Sequence, residues 1–330
     1  MNAQKGGIYF GGGSNSLPGA GGDFAGRFSG AGFVLRRRRL NLVPICLGLF
    51  LPWVIFCLTL TMLSFWMQYK FPGLCLMVVI AIACVGGLIC MQSAYTLIRM
   101  LTNDSVSEEP DREGPSWMLF ISASVLVALL CAVCLGTRNF WNNMQPYYDV
   151  KGLGTYVGVD PSKMRGQELM DAGQVTFKGG SRLDLARSVG FRNEDLFCVA
   201  PITSRIVAGS RTPLESYDFW AVGKNCCSGN VADFRCGQYS SKRAHAGVRM
   251  VRDDDRAFYR LAVQQAQSAF NIKAVHPLFF HWVEEPNAEI EGYRLNGYRF
   301  VLIGIFGYFT FQLFFVMLIA LFLSRKKLTP

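Results

Sequence analysis

Four stretches of the chain are apolar over about the length that a helix needs to cross a bilayer's hydrocarbon core, and none of them contains a charged residue or a histidine. They are residues Leu40–Trp66, Leu74–Ile98, Trp117–Leu135 and Phe300–Leu323. A helix needs about 20 mostly apolar residues to cross a membrane, whereas a helix on the core of a soluble protein keeps a polar face. The pattern therefore predicts four transmembrane helices.

The orientation of these helices follows from the basic residues at their ends, because cytoplasmic loops carry an excess of Lys and Arg. One side holds Arg36, Arg37, Arg38, Arg39, Arg99, Arg112, Arg325, Lys326 and Lys327, whereas the other holds Lys70, Arg138, Arg294 and Arg299 near the membrane. We therefore expect both termini to be cytoplasmic in an integral protein of the plasma membrane or an endomembrane. The four consecutive arginines form a basic patch at the membrane surface that is suited to anionic lipid.

The predicted fold class is a membrane α-helical protein, a four-helix bundle with a disulfide-bonded α+β domain outside the membrane between helices 3 and 4. The predicted order is a Gly-rich cytoplasmic tail that lacks the composition to fold (1–39), the first span (40–66), the second span (74–98), a cytoplasmic loop (99–116), the third span (117–136), the outer domain (137–299), the fourth span (300–323) and a cytoplasmic tail (324–330). Small residues at Gly86 and Gly87 predict a helix-packing face in the second span.

The outer segment shows local patterns for strands and one helix. Short runs at Gln174–Lys178, Leu196–Ile202 and Phe219–Val222 predict strands, and Ala257–Phe270 predicts a helix that follows a run of three aspartates. Pro201 lacks a backbone N–H, so it predicts that its strand lies at the edge of the sheet.

Four cysteines in the outer segment have spacings that are typical of a disulfide framework: Cys198, Cys226, Cys227 and Cys236. Disulfides persist in oxidising compartments, which agrees with an outer location. A bond between the adjacent Cys226 and Cys227 would strain the peptide, so two of the three possible pairings remain open. The three histidines form no metal-ligand pattern, and we predict no metal site and no cofactor.

This layout resembles that of tetraspanins, which have four spans, cytoplasmic termini and a large second outer loop with a Cys-Cys-Gly motif. The matching residues are Cys226-Cys227-Ser228-Gly229, and the resemblance implies Cys198 and Cys236 as the partners of the cysteine pair. It also implies a role in organising other membrane proteins. The string Tyr217–Cys227 resembles a lumenal domain of uncharacterised multi-span membrane proteins of protists.

A second motif, Cys131-x-x-Cys134, lies at the outer end of the third span. In outline it is similar to vitamin K epoxide reductases and to bacterial disulfide-forming membrane proteins, which use such a pair in thiol–disulfide exchange. The alternative is that both are ordinary residues of a cysteine-rich helix, since five further cysteines occur in the first two spans.

The favoured function is a non-enzymatic membrane organiser, scaffold or receptor-like subunit that presents the outer domain to membrane or lumenal proteins. A membrane thiol–disulfide oxidoreductase that uses Cys131 and Cys134 is one alternative, and an accessory channel or transporter subunit is another. The expected partners are membrane lipid and other proteins, with homo- or hetero-oligomers formed through the spans. The net charge of +10 comes without a nucleic-acid-binding motif, so we expect no nucleic acid partner.

Overall fold

The computed structural model describes residues 42–102, 113–204, 214–229, 231–251 and 253–326. The predicted tail 1–39 with Arg36–Arg39, most of the predicted cytoplasmic loop (99–116) and the last residues of the chain lie outside these ranges. The helices, in chain order, are α1 (Leu42–Ser64), α2 (Trp66–Lys70), α3 (Pro72–Thr102), α4 (Glu113–Asn139), α5 (Gln145–Lys151), α6 (Asp253–Phe270) and α7 (Pro286–Lys326).

Helices α1, α3, α4 and α7 are each long and apolar enough to cross a membrane. Two of them, α4 and α7, extend well beyond the apolar run that predicted them. Helix α4 continues through a π-helical turn at Phe140–Met144 into α5, and α7 begins at Pro286, well before the apolar run at Phe300. The extra turns carry polar residues because they belong to the junction with the sheet.

Helices α1 and α4 form the centre of the apolar bundle, with α7 packed against α1 and α3 packed against α4. Phe56 and Leu60 of α1 are fully buried against Ala128 and Ala132 of α4. The helices approach closely at Gly136, where an added Cβ would lie 2.9 Å from the Cβ of Leu63. Small residues thus let the two backbones come together, as in other apolar helix pairs.

The packing face expected at Gly86 and Gly87 involves only the first of them. A Cβ on Gly86 would lie 3.3 Å from Leu126 of α4, whereas one on Gly87 would meet no atom within 4 Å. A polar contact that the sequence patterns did not indicate joins α7 to α1: Gln312 is buried, and its Nε2 donates to the Gly48 carbonyl over 2.7 Å.

The segment between α5 and α7 forms one mixed eight-stranded sheet with α6 on one face. Its strands are β1 (Gly154–Val159), β2 (Ala172–Phe177), β3 (Ser181–Leu183), β4 (Val189–Asn193), β5 (Asp195–Ser204), β6 (Phe219–Lys224), β7 (Ala246–Arg249) and β8 (Leu278–Val283). The order across the sheet is β1-β2-β7-β8-β6-β5, after which β3 and β4 both pair with β5. The β1–β2 and β6–β8 pairs are parallel and the others antiparallel.

The prediction that Pro201 marks an edge strand is wrong, because β5 is paired on both sides. On one side β5 pairs along its length with β6. On the other side, β4 pairs with β5 from Asp195 to Val199 and β3 pairs with β5 from Ile202 to Ser204, so Pro201 lies in the gap between the two. The Pro201 carbonyl accepts from the Asp184 amide on this side, and the missing N–H of proline points into the same gap.

Each face of the sheet has its own core. One face packs Phe177, Phe219, Phe280 and Trp282 around the disulfides. The other face packs Val199, Trp220, Val222 and Phe279 against Tyr259, Ala262, Val263 and Ala266 of α6. Central strands β5 and β6 are therefore buried on both sides, which explains why they read as continuous apolar runs without alternation.

Candidate functional site

Two disulfide bonds stand at the end of β6, and together they use all four cysteines of the sheet domain. Cys198 on β5 is bonded to Cys227, and Cys226 is bonded to Cys236, with Cα–Cα separations of 5.9 Å and 5.2 Å. The sequence left two pairings open, Cys198 with Cys226 or Cys198 with Cys227. The structure has the second, which leaves Cys226 to bond Cys236. The sulfurs of Cys198, Cys226 and Cys236 lie close together because the bridges are neighbours.

A tight turn aims the adjacent cysteines at different partners. Asn225 has a φ of 56°, in the left-handed region that asparagine tolerates. Its side-chain oxygen accepts from the Leu196 amide over 2.9 Å. Glycine makes room for the sulfurs: a Cβ on Gly223 would lie 2.6 Å from the Cβ of Cys236, and one on Gly190 would lie 2.8 Å from the Cys227 sulfur. The bridges therefore depend on these small residues.

The sheet is built onto the apolar helices through a shared apolar cluster, which we call the junction core. Its members come from the α4–α5 extension, from β7 and β8, and from the start of α7: Phe140, Met144, Tyr147, Val150, Ala246, Val248, Val283 and Ile290, all buried. The cluster is continuous across three parts of the chain, so the sheet and the helices share one packed interior here.

Hydrogen bonds and close packing fix the π-helical turn of the junction core against α7. Asn139 is fully buried; its Nδ2 donates to the Gly297 carbonyl over 3.3 Å, and its Oδ1 accepts from Asn143 over 2.9 Å. A Cβ on Gly297 would lie 2.5 Å from the Met144 sulfur. π-Helical turns are rare and frequent at functional sites, and this one turns the helix toward the sheet.

A cavity of about 440 Å³ lies beside the junction core. We call it the junction cavity. Residues of the α4–α5 extension and Tyr293 of α7 line one side, and the other side is formed by β7, β8, the end of β6 and the start of α6. Its polar and charged lining includes Asn142, Gln145, Asp149, Lys224, Arg249, Asp255, Tyr259 and His281.

The charged groups of the junction cavity are arranged around Lys224. Its Nζ is 2.7 Å from Asp255 and 3.7 Å from Asp195, and it lies 5.2 Å above the Phe197 ring. Tyr259 is buried beside these carboxylates, and burial first and the two negative charges second raise the pKa of its hydroxyl well above the usual range. The charge of Lys224 is thus already balanced by carboxylates. The Tyr259 hydroxyl stays protonated and can donate a hydrogen bond.

His281 and Arg249 complete the lining. Burial lowers the pKa of His281 despite the opposing effects of Asp255 and a hydrogen bond with Val222. The imidazole is therefore neutral at neutral pH and can accept or donate one hydrogen bond. Burial, and then the neighbouring charge of Arg256, lowers the pKa of Arg249 to about 10, which leaves it a cation. Such a set can hold a polar or anionic group.

The sequence-predicted redox pair lies elsewhere, in the apolar bundle. Cys131 is half-buried in the cluster formed by α1, α4 and α7, and Cys134 is exposed one turn further along α4. All seven cysteines outside the disulfides lie in α1, α3 and α4. The structure thus brings Cys131 near Cys134 but does not bring either near the four bonded cysteines.

Comparison of the chain with models of known protein families, with curated proteins and with solved structures finds no match. What the chain shares with tetraspanins is therefore limited to four candidate apolar helices and a cysteine-rich region with disulfides.

Several site residues have no signal in the sequence. Arg249, Tyr259 and His281 follow no motif and come together only because β7, α6 and β8 are neighbours in space. The run of aspartates before α6 predicts a helix start, and the structure confirms that start at Asp253. It gives no hint that Asp255 pairs with Lys224, which is some 30 residues away on β6.

Proposed function

We propose that the protein is a multi-span membrane protein of the organiser or receptor-like type. Its four apolar helices cross the bilayer with both termini in the cytoplasm, and the sheet domain stands outside, where its disulfides are stable. The sheet domain binds membrane or lumenal proteins, and the helices associate laterally with others. Its role is to hold partners in place, without catalysing a reaction.

The observation that carries this proposal is the junction core. A domain joined to its membrane anchor by a flexible linker moves freely, whereas here α4–α5 and α7 pack their side chains into β7 and β8. Interiors packed in this way transmit position and strain. A partner bound to the sheet domain is thereby fixed relative to the helices, which is what a scaffold or a signalling subunit requires.

Lateral association is supported by the exposure of α3. Only 11% of its apolar window is buried within the chain, compared with 33% for the helix that contains α4. Leu88 and Met91 are 68% and 72% exposed, and nothing lies near Gly87 on this helix. In a bilayer this face contacts either lipid or another helix, and small residues such as Gly87 favour close helix packing.

The position of the cysteines favours the organiser over a disulfide relay. The junction core lies between the bundle and the sheet, and β5 lies three strand positions from β7, or about 14 Å at the usual strand spacing. Exchange between the Cys131–Cys134 pair and the sheet cysteines would need sulfurs in contact. The four sheet cysteines already satisfy one another, as expected of structural bridges.

Photo-crosslinking from single positions tests the proposal. A photoreactive residue at Leu88 on α3 samples lateral contacts, and one at Val157 on the terminal strand β1, which is 78% exposed, samples contacts of the sheet domain. We expect discrete protein adducts from both positions in native membranes. A photoreactive residue at the fully buried Leu60 is the control and should react only within the chain.

The same adducts should form in the Cys131→Ser/Cys134→Ser variant, because an organiser does not use these thiols. Lipid adducts alone at Leu88 together with no adduct at Val157 would refute the organiser. Loss of the adducts in the double serine variant, with the protein still folded, would instead favour the oxidoreductase.

A further inference from the structure

A second cavity, of about 300 Å³, lies on the α6 side of the sheet and is lined by three arginines. We call it the arginine cavity. Arg249 stands at the end of β7, and Arg256 and Arg260 stand one turn apart on α6. Residues four apart on a helix share one face, so the two α6 arginines point along the same side toward β7.

The guanidinium of Arg249 is only partly compensated. It lies 5.6 Å above the Phe280 ring, but its Nη1 is shielded from solvent and bonds no partner. No carboxylate in the described part of the chain forms an ion pair with it, and the facing charge is that of Arg256. A guanidinium with a shielded nitrogen that bonds no partner is stabilised when an anion binds it.

The rest of the lining indicates what kind of anion fits. Val263, Leu278 and Phe279 offer apolar surface, and Gln264 and Gln267 offer amides. A guanidinium binds phosphate through paired N–H donors, and a phosphate monoester carries close to two negative charges. The cavity is larger than one phosphate group, so an organic moiety has room beside the amides and the apolar side chains.

We propose that the arginine cavity binds a phosphate monoester, with its phosphate held between Arg249, Arg256 and Arg260. The ligand is either a soluble phosphorylated molecule or a lipid with a terminal phosphate, since both present the same group. The inference rests on the cavity alone and does not depend on the organiser role.

Binding is tested with the full-length protein in nanodiscs of phosphatidylcholine, titrated with inorganic phosphate and with glycerol 3-phosphate in a calorimeter. We expect saturable binding of both, weaker at high salt. Arg249→Gln should weaken it by about 10- to 100-fold, because charge-assisted hydrogen bonds of this strength are lost. Arg192→Gln, which removes an exposed arginine on β4, is the control and should bind like the wild type.

The source of the ligand is read from a second nanodisc. If phosphatidic acid in the bilayer competes with glycerol 3-phosphate, the phosphate group of a lipid reaches the cavity; if it does not compete, the ligand is soluble. Both results support the site. Absence of saturable binding at millimolar concentration, or equal binding by Arg249→Gln and wild type, would overturn it.

Thermal unfolding without ligand separates a binding role from a structural one. A binding residue that is unpaired in the empty site costs stability, so Arg249→Gln should melt at the same temperature as the wild type or higher. At the same concentration, phosphate should raise the melting temperature of the wild type more than that of Arg249→Gln. A large fall in the melting temperature of ligand-free Arg249→Gln would show that Arg249 is structural and would contradict the inference.

Discussion

Replacing Asp218 should loosen the centre of the sheet domain. This carboxylate is 2% exposed, and it accepts from the amides of Gly166, Val275 and His276 over 3.0, 2.9 and 3.1 Å and from the Ser216 hydroxyl over 2.7 Å. It therefore ties two distant segments, one at Gly166 and one at Val275–His276, to the start of β6.

The size of the effect follows from the bonds lost. In Asp218→Ala the three amides lose their acceptor, at about 1–3 kcal/mol for each unsatisfied group, so the cost is at least about 3 kcal/mol. Asp218→Asn keeps one acceptor oxygen but turns an NH₂ group toward the Gly166 amide and weakens the remaining bonds, because bonds to a charged acceptor are about twice as strong. We expect about 2–4 kcal/mol for this variant.

Hydrogen exchange of the full-length protein in detergent is the assay, because it reports the local free energy of opening. A loss of 2 kcal/mol speeds exchange in β6 and at Val275 by about 30-fold. Asp171→Asn is the matched control, since Asp171 is exposed and accepts from the Tyr156 hydroxyl. If both variants change β6 exchange by the same small factor, the role given to Asp218 is wrong.

The pH dependence gives a second check on Asp218. Burial alone would raise the pKa of its carboxyl, but the four hydrogen bonds together outweigh burial and lower it. The ionised carboxylate therefore stabilises the fold fully above the unfolded pKa of about 3.9, and this contribution disappears as the pH falls through the lower folded pKa. The difference between wild type and Asp218→Asn should be constant from about pH 5 to 8 and shrink below about pH 4.

Three further predictions concern the bundle and the junction. Gly136→Val should lower the melting temperature, at a cost of about 1–3 kcal/mol, because its side chain meets Leu63, whereas Gly87→Val should not. Gln312→Leu should lower the free energy of unfolding by about 0.5–2 kcal/mol, because the hydrogen bond to Gly48 is lost. Thr310→Val removes only a hydrogen bond within α7 and should cost less; thermal unfolding in detergent measures both. Unfolding of the wild type should become easier as the pH falls below about 6.5, since the unfolded state protonates at His281 more readily than the fold does; His281→Gln should flatten this dependence, and equal slopes for both proteins would contradict it.

The four apolar helices could be predicted from the sequence because length and the absence of charge are properties of each run by itself. Their ends could not, because the residues that extend α4 to Lys151 and start α7 at Pro286 are polar or aromatic and are helical through contacts with the sheet. The same limit applies to Pro201, because its position inside the sheet depends on which residues of β5 are paired with β3 and β4.

Three of the eight strands, β2, β5 and β6, and the set of bonded cysteines could be predicted from the sequence for a similar reason, whereas β1, β3, β4, β7 and β8 were not predicted. Strand β2 carries an alternating pattern, β5 and β6 carry short apolar runs, and four cysteines in one segment indicate bridges. Which cysteine bonds which depends on the turn at Asn225. Arg249, His281 and Gln312 gave no signal, since each acquires its role from partners that are distant in the sequence.

Protease protection in sealed vesicles with the cytoplasmic face outward tests the central claim most directly. The basic residues predicted to be cytoplasmic, Arg36–Arg39 and Arg112, should be cut by trypsin. Lys178 and Arg243 in the sheet domain have side chains that are 65% and 84% exposed. Trypsin should nevertheless cut them only after detergent has opened the membrane, whether or not the disulfides have been reduced. Cleavage at Lys178 or Arg243 in intact vesicles would place the sheet domain in the cytoplasm and contradict the account.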